Sequence, residues 1–530
     1  MRRTPLLALV ALVFSGALSC RRGDSHPAQK GGEEPEVRRL ELKADEALSR
    51  GRAHFAHLLL SKARGSGELS PLGDVTDVRA RAVIDGPNVA LSDAESALEE
   101  GAPVEALTAA PELAALMSDP AFLRAVERAR RGNQDSPPAF EPAPPGAVDA
   151  RALAELLKEA EAHRTSGLVV LRDGKLVGEW YFGQRKQRIE AMSATKSIVS
   201  LAVGLLIDDG KIESLDAPVS RFFPEWKGTL KEGITLRQLM SHTSGLEARR
   251  TTEDIYPQAD FVRSALDAPL AAPPGTAFSY NNQAVNLLAG AVSAAAGEPI
   301  DEYLRHRLFA PLGIDDVTWS RDRAGNRHGM SGLQIHPMDF ARIGQMLLDG
   351  GTWNGRRIVS APWIEASALR PSQGFDPLCG LLWWRTQRAN RYLIDEPLIA
   401  QLREARFGER SISKLQPLVG RAIEETRFRD ELRQRLRNFE ISRLERILAE
   451  RHLGKPLPDE IFGYSARGSL GQVLLVVPKY RLVVVRMAVP RREVRPNALE
   501  FPELFALARG LVEPGWQPPE LKLEHEEGLE

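Results

Sequence analysis

The sequence predicts an α+β domain built on one antiparallel sheet that helices flank. Two hairpin-like pairs of apolar segments lie far apart in the chain, and helix-like segments fill the distance between them. The first pair covers 167–182 around an Asp-Gly turn, and the second covers 472–489 around Pro478-Lys479-Tyr480. An Asp-Gly turn between apolar runs is typical of a β-hairpin. Strands at both ends with helices between them favour a single antiparallel sheet.

Helices are predicted at both ends of this domain. Residues 150–162 suit a helix before the first strand pair, and residues 501–512 suit a final helix after the second. The chain is 43% hydrophobic and 27% charged, which is typical of a folded globular protein. Its 530 residues leave room for roughly three domains, or for one large domain with additions.

The charge balance and the cysteine count exclude several classes of function. The chain has 70 basic and 71 acidic residues, a net charge of -1, which excludes strong bulk attraction to nucleic acid or to an anionic membrane. Cys20 and Cys379 are its two cysteines, so a disulfide scaffold and a multi-cysteine zinc or iron–sulfur site are excluded. We expect no cofactor, no metal and no nucleic-acid partner.

The first twenty residues are predicted to be an export signal. A basic start (MRR) precedes an apolar run at 6–17 that is too short to span a bilayer comfortably as a mature helix. The run ends in Ala-Leu-Ser-Cys and resembles a bacterial lipoprotein signal, with Ala17 where Leu is usual. This predicts a lipidated N-terminus at Cys20, on a membrane-anchored lipoprotein facing the periplasm or the cell exterior of a bacterium. The alternative, an ordinary signal peptide with a chance cysteine, also exports the chain.

Composition divides the rest of the chain. Residues 21–135 are predicted to form a polar tether followed by a helical region, and residues 136–147 a stiff Pro-rich linker. The α+β domain is assigned to 148–515. A charged insertion lies within it at 387–460, and residues 516–530 form an acidic tail.

The insertion is predicted to consist of amphipathic helices. It holds 16 basic and 13 acidic side chains, and apolar residues recur at helical spacing at Leu432, Leu436 and Phe439 and again from Leu444. Two interpretations stay open. The insertion is either a solvated helical hairpin with no part in chemistry, or a lid or partner-binding element.

The first candidate for chemistry is the S-x-x-K sequence from Ser193 to Lys196, which opens an apolar run at 198–207. At i and i+3 of a helix the two side chains share a face. A serine hydroxyl needs a neighbour to take its proton, and a lysine beside apolar residues has a depressed pKa that suits this role. The helix N-terminus also offers the Ser193 N–H to an oxyanion. Alone, the match is weak, since it occurs by chance in many chains.

Two further motifs follow downstream. Tyr280 and Asn282 form a Y-x-N sequence, in which the tyrosine could relay a proton and the amide could hydrogen-bond Lys196 and a substrate carbonyl. Gly468 and Ser469 then precede the strand-like run at 472–477. A glycine at this edge would let substrate lie along the sheet, with the Ser469 N–H as a second oxyanion donor.

The order S-x-x-K, Y-x-N and a glycine box on a C-terminal strand resembles the serine β-lactamase and penicillin-binding superfamily. Its class C branch, the family VIII carboxylesterases and the 6-aminohexanoate-dimer hydrolases resemble the chain most. The resemblance covers about 148–386 and 461–515. Further segments that carry it are ITLRQLMSHTSGL (234–246), LFAPLGI (308–314), 332–344, WNG (353–355) and the Trp pair at 383–384. It implies an all-helical subdomain beside the sheet.

The resemblance also implies roles for the motif residues. Ser193 would be the acylated nucleophile, Lys196 the general base and Tyr280 the acid/base partner, while Asn282 would orient. The N–H groups of Ser193 and Ser469 would form the oxyanion hole. The third box departs from the family, which has Lys or His where this chain has Ala466.

This departure favours a serine hydrolase that cleaves an ester or amide bond. Arg467 lies next to Ala466 but does not occupy the position of the carboxylate-binding lysine. The expected substrate is a small ester or amide, or a peptide-like molecule. The alternatives are a β-lactamase or D-Ala-D-Ala peptidase, and a catalytically silent homologue that binds peptidoglycan or a protein partner, with the insertion as a possible partner site.

Other residues are weaker candidates. His242 resembles a structural residue of the family's HTSG segment. Trp383 and Trp384 are expected in the core or the cleft wall, and Cys379 is expected to be a buried small hydrophobe. His54 and His57 have the spacing of metal ligands, but the sequence offers no third ligand.

Overall fold

The computed structural model describes most of the chain from Glu36 onward. The described residues are 36–66, 69–99, 102–131, 140–249, 251–388, 391–450, 457, 459–490, 501, 503–513 and 515. The predicted signal with Cys20 and the acidic tail at 516–530 lie outside these ranges. Among the described helices, none has both the length and the apolar character that crossing a membrane requires.

Within its described residues, the N-terminal region forms six α-helices. They are α1 (Glu36–Ser49), α2 (Ala53–Ser66), α3 (Pro71–Asp85), α4 (Pro87–Glu99), α5 (Val104–Thr108) and α6 (Pro120–Arg131). The periodicity at Leu40, Ala44 and Leu48 produces one buried face of α1. Ser70 begins α3 by accepting a backbone hydrogen bond, and Pro71 takes the first helical position, where its missing N–H leaves no bond unmade.

These helices pack against the following domain through ion pairs. Arg124 donates to both carboxylate oxygens of Glu302, at 2.6 and 3.2 Å. Arg321 forms a largely buried ion pair with Asp119, which also caps α6. Removing one partner from a buried pair leaves an uncompensated charge, so such contacts fix how the two regions dock.

The strands in the described residues are β1 (Gly167–Arg172), β2 (Lys175–Trp180), β3 (Ile189–Glu190), β4 (Val317–Trp319), β5 (Leu333–Ile335), β6 (Thr352–Trp353), β7 (Arg356–Arg357), β8 (Trp384–Gln387), β9 (Arg391–Leu393), β10 (Ala422–Glu424), β11 (Ile461–Gly468), β12 (Gln472–Val477) and β13 (Leu482–Met487). Both predicted hairpins are present, as β1–β2 and β12–β13. The main sheet is antiparallel, in the order β2-β1-β13-β12-β11-β8. Asp173 and Gly174 both have positive φ, as a tight hairpin turn requires.

Helices cover both faces of this sheet, which confirms the α+β class. The α-helices of the described chain after residue 149, including those of the insertion, are α7 (Ala150–Ala162), α8 (Thr195–Asp208), α9 (Leu236–Met240), α10 (Phe261–Asp267), α11 (Asn282–Ala296), α12 (Ile300–Leu304), α13 (Pro337–Leu348), α14 (Ala361–Ile364), α15 (Glu396–Glu404), α16 (Glu409–Leu415), α17 (Glu425–Arg435), α18 (Asn438–Glu450) and α19 (Leu504–Gly510). Adjacent residues of β12 enter different cores: Leu475 packs with α7 and α19, and Leu474 with α8 and α13.

The final helix is shorter than the predicted 501–512. It runs from Leu504 to Gly510, with Glu503 as its N-cap.

The predicted helical subdomain surrounds α8. Every residue of α8 from Thr195 to Leu206 is buried, as expected of a helix that is apolar on all sides. The neighbouring helices α9, α10, α11 and α12 supply much of the surrounding core. The residues that open α8 are therefore held from all sides.

The sequence predicted that the insertion consists of helices, but the structure shows that it also contains strands. Strands β9 and β10 pair as a short antiparallel ribbon beside α15, α16, α17 and α18. These elements enclose an apolar core of their own, which includes Leu432, Leu436 and Leu444. Phe439 is the exception, with 62% of its surface exposed and the Arg437 guanidinium over its ring.

Candidate active site

Ser193 lies at a sharp turn between β3 and α8. It occupies a 3₁₀ turn, Met192–Ala194, directly before the first residue of α8. Met192 has a left-handed φ of 49°, and the N–H of Ala191 donates to Leu333 O at 2.8 Å. The strained turn is thus tied to β5, and it leaves Ser193 partly exposed.

Lys196 is buried directly behind Ser193. Its Nζ atom lies 2.9 Å from Ser193 Oγ and donates to Met330 O at 2.7 Å. Burial lowers the pKa of Lys196 below its ordinary value, and the hydrogen bond and electrostatic attraction of Tyr280 oppose this only in part. The predicted pairing of Ser193 with Lys196 is present in the geometry.

The carbonyl of Met330 belongs to the site because it accepts a hydrogen bond from Lys196. The sequence does not predict this contact, because every residue type has a backbone carbonyl and no motif identifies this one. Met330 is held by its own N–H, which donates to Asn286 Oδ1 at 3.0 Å. Gly329 permits the close approach to α11, since a Cβ there would lie 2.2 Å from Val285 O.

Tyr280 stands over Lys196 at the mouth of the site. Lys196 Nζ lies 5.1 Å from the centroid of the Tyr280 ring. The ring stacks on Trp384 at 6.5 Å and tilts against His242 at 4.6 Å. Tyr280 is 39% exposed, so it lies between the buried lysine and the solvent.

His242 fixes the chain around Tyr280. Its carbonyl accepts the Ser279 N–H at 2.8 Å, and its Nδ1 accepts the Asn281 N–H at 3.3 Å. Burial lowers the pKa of His242 to about 3, and the nearby Lys196 adds to this shift. The imidazole is therefore neutral at physiological pH. Its contacts are those of a supporting residue, as the sequence suggested.

The predicted hydrogen bond between Asn282 and Lys196 is not among the contacts of the described chain. Lys196 bonds Ser193 and Met330 instead, and Asn282 Oδ1 is a buried atom without a protein partner among the described residues. Its neighbour Asn281 caps α11 by accepting the Ala284 N–H. Asn282 is the first residue of that helix.

Gly468 brings the end of β11 against the nucleophile turn. A Cβ at Gly468 would lie 2.5 Å from Ala191 O and 3.0 Å from Ser193 N, so a glycine is needed here. Ser469 follows at the end of the strand and is exposed. The two backbone segments expected to supply oxyanion donors, at Ser193 and Ser469, are therefore adjacent in space.

Neither Ala466, at the third-box position, nor the adjacent Arg467 directs a positive charge into this site. Ala466 is fully buried in the core shared with α8. Arg467 faces the other side of the sheet, where its guanidinium lies 4.4 Å from the Phe505 ring centroid and donates to Ser465 and Thr386.

The weaker candidates are buried or paired with other side chains. Trp383 is buried against Tyr464, and burial raises the pKa of the Cys379 thiol to about 11. His57 pairs with Asp77 at 2.7 Å. In the described ranges, no cluster of three His, Cys, Asp or Glu side chains could hold a metal ion.

Comparisons with known proteins converge on one family. A family model described as Beta-lactamase matches residues 150–489. The chain is 29% identical over 238 residues to a 6-aminohexanoate-dimer hydrolase of Paenarthrobacter ureafaciens, covering 40% of this chain and 59% of that protein. It is 33% identical over 144 residues to esterase EstB of Burkholderia gladioli, covering 23% and 36% respectively. The matches thus span less than two thirds of these curated relatives.

A solved structure is also similar. A penicillin-binding protein homologue from Caulobacter crescentus superposes with a TM-score of 0.45 at 15% identity. The superposition covers 69% of this chain and 98% of that chain.

We predict that Gly468→Ala destabilises the domain by about 1–3 kcal/mol, because the new methyl group meets backbone atoms that cannot rotate away. Gly233→Ala is the matched control, since a Cβ at Gly233 meets no atom within 4 Å. Both are measured by urea unfolding. Equal stability of the two variants would contradict the close approach of β11 to Ser193.

Proposed function

The chain belongs to the beta-lactamase family, and from this we propose that it is a serine hydrolase of the esterase or amidase type. The observation that carries the proposal is the buried amine of Lys196, 2.9 Å from the Ser193 hydroxyl. A lysine whose pKa is lowered by burial takes a proton that an exposed lysine would not accept.

The arrangement of donors supports Lys196 as the general base. A neutral amine has two N–H groups and one lone pair. With one N–H group directed at Met330 O, 2.7 Å away, the lone pair can face the proton of Ser193, whose Oγ lies 2.9 Å from the amine. The carbonyl of Met330 therefore helps to set the direction of proton transfer.

The proposed reaction proceeds through an acyl-enzyme on Ser193. The Oγ atom attacks the substrate carbonyl carbon as its proton passes to Lys196, and the carbonyl oxygen becomes an oxyanion. Collapse of this intermediate breaks the ester or amide bond, and the leaving alcohol or amine takes a proton through Tyr280. Water then attacks the acyl group by the same steps in reverse and releases the acid.

The oxyanion is proposed to bind the backbone N–H groups of Ser193 and Ser469. Such fixed donors stabilise charge that develops only in the transition state. Gly468 supports the proposal, because its lack of a side chain lets β11 approach the nucleophile turn.

The substrate is proposed to lack an essential carboxylate beside the scissile bond. Ala466 is buried and Arg467 faces Phe505, so neither supplies the cation with which β-lactamases bind that group. Two relatives are named as an esterase and as a hydrolase of 6-aminohexanoate dimers. A catalytically silent protein is disfavoured, since it would not need Ser193, Lys196 and Tyr280 together.

We further propose that the protein is exported and anchored by lipid at Cys20. The support is the lipoprotein-like order of a basic start, an apolar run and a cysteine. A lipid chain on that cysteine would bring the hydrolase to a membrane surface.

We predict that Ser193→Ala abolishes both ester hydrolysis and covalent labelling by a fluorophosphonate, because the nucleophilic oxygen is lost. The measurement is turnover of a p-nitrophenyl acyl ester, with labelling read by mass spectrometry. Ser372→Ala is the control, and its labelling should equal that of the wild type. A folded wild type that does not label would refute the serine mechanism, and faster turnover of nitrocefin than of the ester would favour a β-lactamase.

We predict that kcat/KM for the ester rises with pH and levels off at a midpoint below 10.5, the ordinary pKa of lysine. The rate rises with pH because Lys196 acts as a base only when its amine is neutral. Burial lowers the pH at which the neutral amine forms. Lys196→Arg, which stays protonated, should lose about 100-fold or more of kcat. A wild-type midpoint at or above 10.5 would contradict the buried base.

We predict that Cys20→Ser prevents incorporation of radiolabelled palmitate and moves the protein from the membrane fraction to the soluble fraction of a bacterial host. The serine variant lacks the thiol that a lipid chain would modify. Equal palmitate labelling of the variant and the wild type would rule out Cys20 as the site.

A further inference from the structure

The turn that follows β11 contains a strained residue. Leu470 has φ 66° and ψ 17°, a left-handed conformation that side-chain-bearing residues rarely adopt. It lies one residue after Ser469, whose N–H is the proposed second oxyanion donor. Some interaction must hold this conformation, because leucine does not prefer it.

The carbonyl of Leu470 accepts a hydrogen bond from Nη1 of Arg486. Arg486 is fully buried in β13, between β1 and β12. Its Nε donates to Thr165 Oγ1 at 3.0 Å, and its Nη2 donates to His163 O at 2.7 Å. Two nitrogen atoms of the guanidinium are thus bound by the chain before β1. The third, Nη1, binds the turn at Leu470.

The turn is also fixed at both of its ends. Gly468 lies against Ser193 N, and Gln472 is buried at the start of β12. The Gln472 side chain donates to Glu190 O at 2.9 Å and to Ala488 O at 2.7 Å, and its Oε1 accepts the Ala488 N–H. These contacts set where the turn begins and ends.

We propose that Arg486 is a positioning residue for the oxyanion hole, which it serves by holding Leu470 in the left-handed conformation. It touches no reacting atom. By fixing the Leu470 carbonyl, it sets the course of the turn and hence the direction of the Ser469 N–H. This inference rests on the proposed acyl-enzyme mechanism, in which that N–H binds the oxyanion.

The test is a rescue experiment. Arg486→Met removes the donor and keeps an apolar side chain about as long as the aliphatic part of arginine, and we expect kcat for the p-nitrophenyl ester to fall about 10- to 100-fold. This is less than the 10²–10³-fold typical of deleting an oxyanion donor outright. KM should change by less than about threefold, because the interaction strengthens only in the transition state.

The double variant Arg486→Met with Leu470→Gly should recover about tenfold or more of the lost kcat. Glycine adopts a positive φ without help from a neighbour, so the turn no longer depends on Arg486. Leu470→Gly alone sets the baseline for this comparison. A residue that only stabilised the sheet would not be rescued by a glycine in the turn.

Arg481→Met is the matched control, because Arg481 belongs to the same strand hairpin and pairs with Asp349 at the surface. Its kcat should equal that of the wild type. Should Arg486→Met fail to fold, Arg486→Lys is measured with and without Leu470→Gly, and the same rescue is expected.

Two outcomes would overturn the inference: a folded Arg486 variant with wild-type kcat, or a folded double variant with no recovery. Fluorophosphonate labelling separates these from failure of the proposed function. If the wild type labels at Ser193 and the rescue fails, only the role of Arg486 is wrong. If the wild type does not label, the mechanism itself is wrong.

Discussion

The burial of one amine governs the construction of this site. Lys196 lies within α8, a helix that is buried from Thr195 to Leu206, and its Nζ contacts Ser193 Oγ and Met330 O. A buried amine is costly in its charged form. The surrounding helices and the close approach at Gly329 supply this burial, so the packing of the helical subdomain and the reactivity of the lysine have the same physical cause.

Several residues with strained backbone lie in the segments that build this site. Met192, His242, Leu382 and Leu470 all have left-handed φ without being glycine. Each is held by neighbours: Leu382 O, for example, accepts the hydroxyl of Ser197 at 2.7 Å. Conformations of this kind persist only where the surrounding structure determines them. The rigid sheet and the helical subdomain provide that support from opposite sides of the cleft.

The additions to the domain are built differently. The insertion encloses its own apolar core and follows β8 at the edge of the sheet. The N-terminal helices instead dock through ion pairs such as Arg124 with Glu302. Residues of both regions, among them Ala121 and Arg327, line one cavity between them, and Arg327 lies in the segment just before Met330. The N-terminal region therefore packs behind a segment of the active site, whereas the insertion extends from the sheet.

The sequence by itself determined the fold class, the family and the pairing of Ser193 with Lys196. These follow from local patterns: apolar strand-like runs around turns, a buried helix and a fixed spacing on one helix face. The sequence did not identify the carbonyl of Met330, the turned-away side chain of Arg467 or the bond from Arg486 to Leu470. Asn282 also lacks its expected bond with Lys196. Only the tertiary structure decided these features, because backbone groups and side-chain directions carry no signature in residue type and depend on segments that meet only in the folded chain.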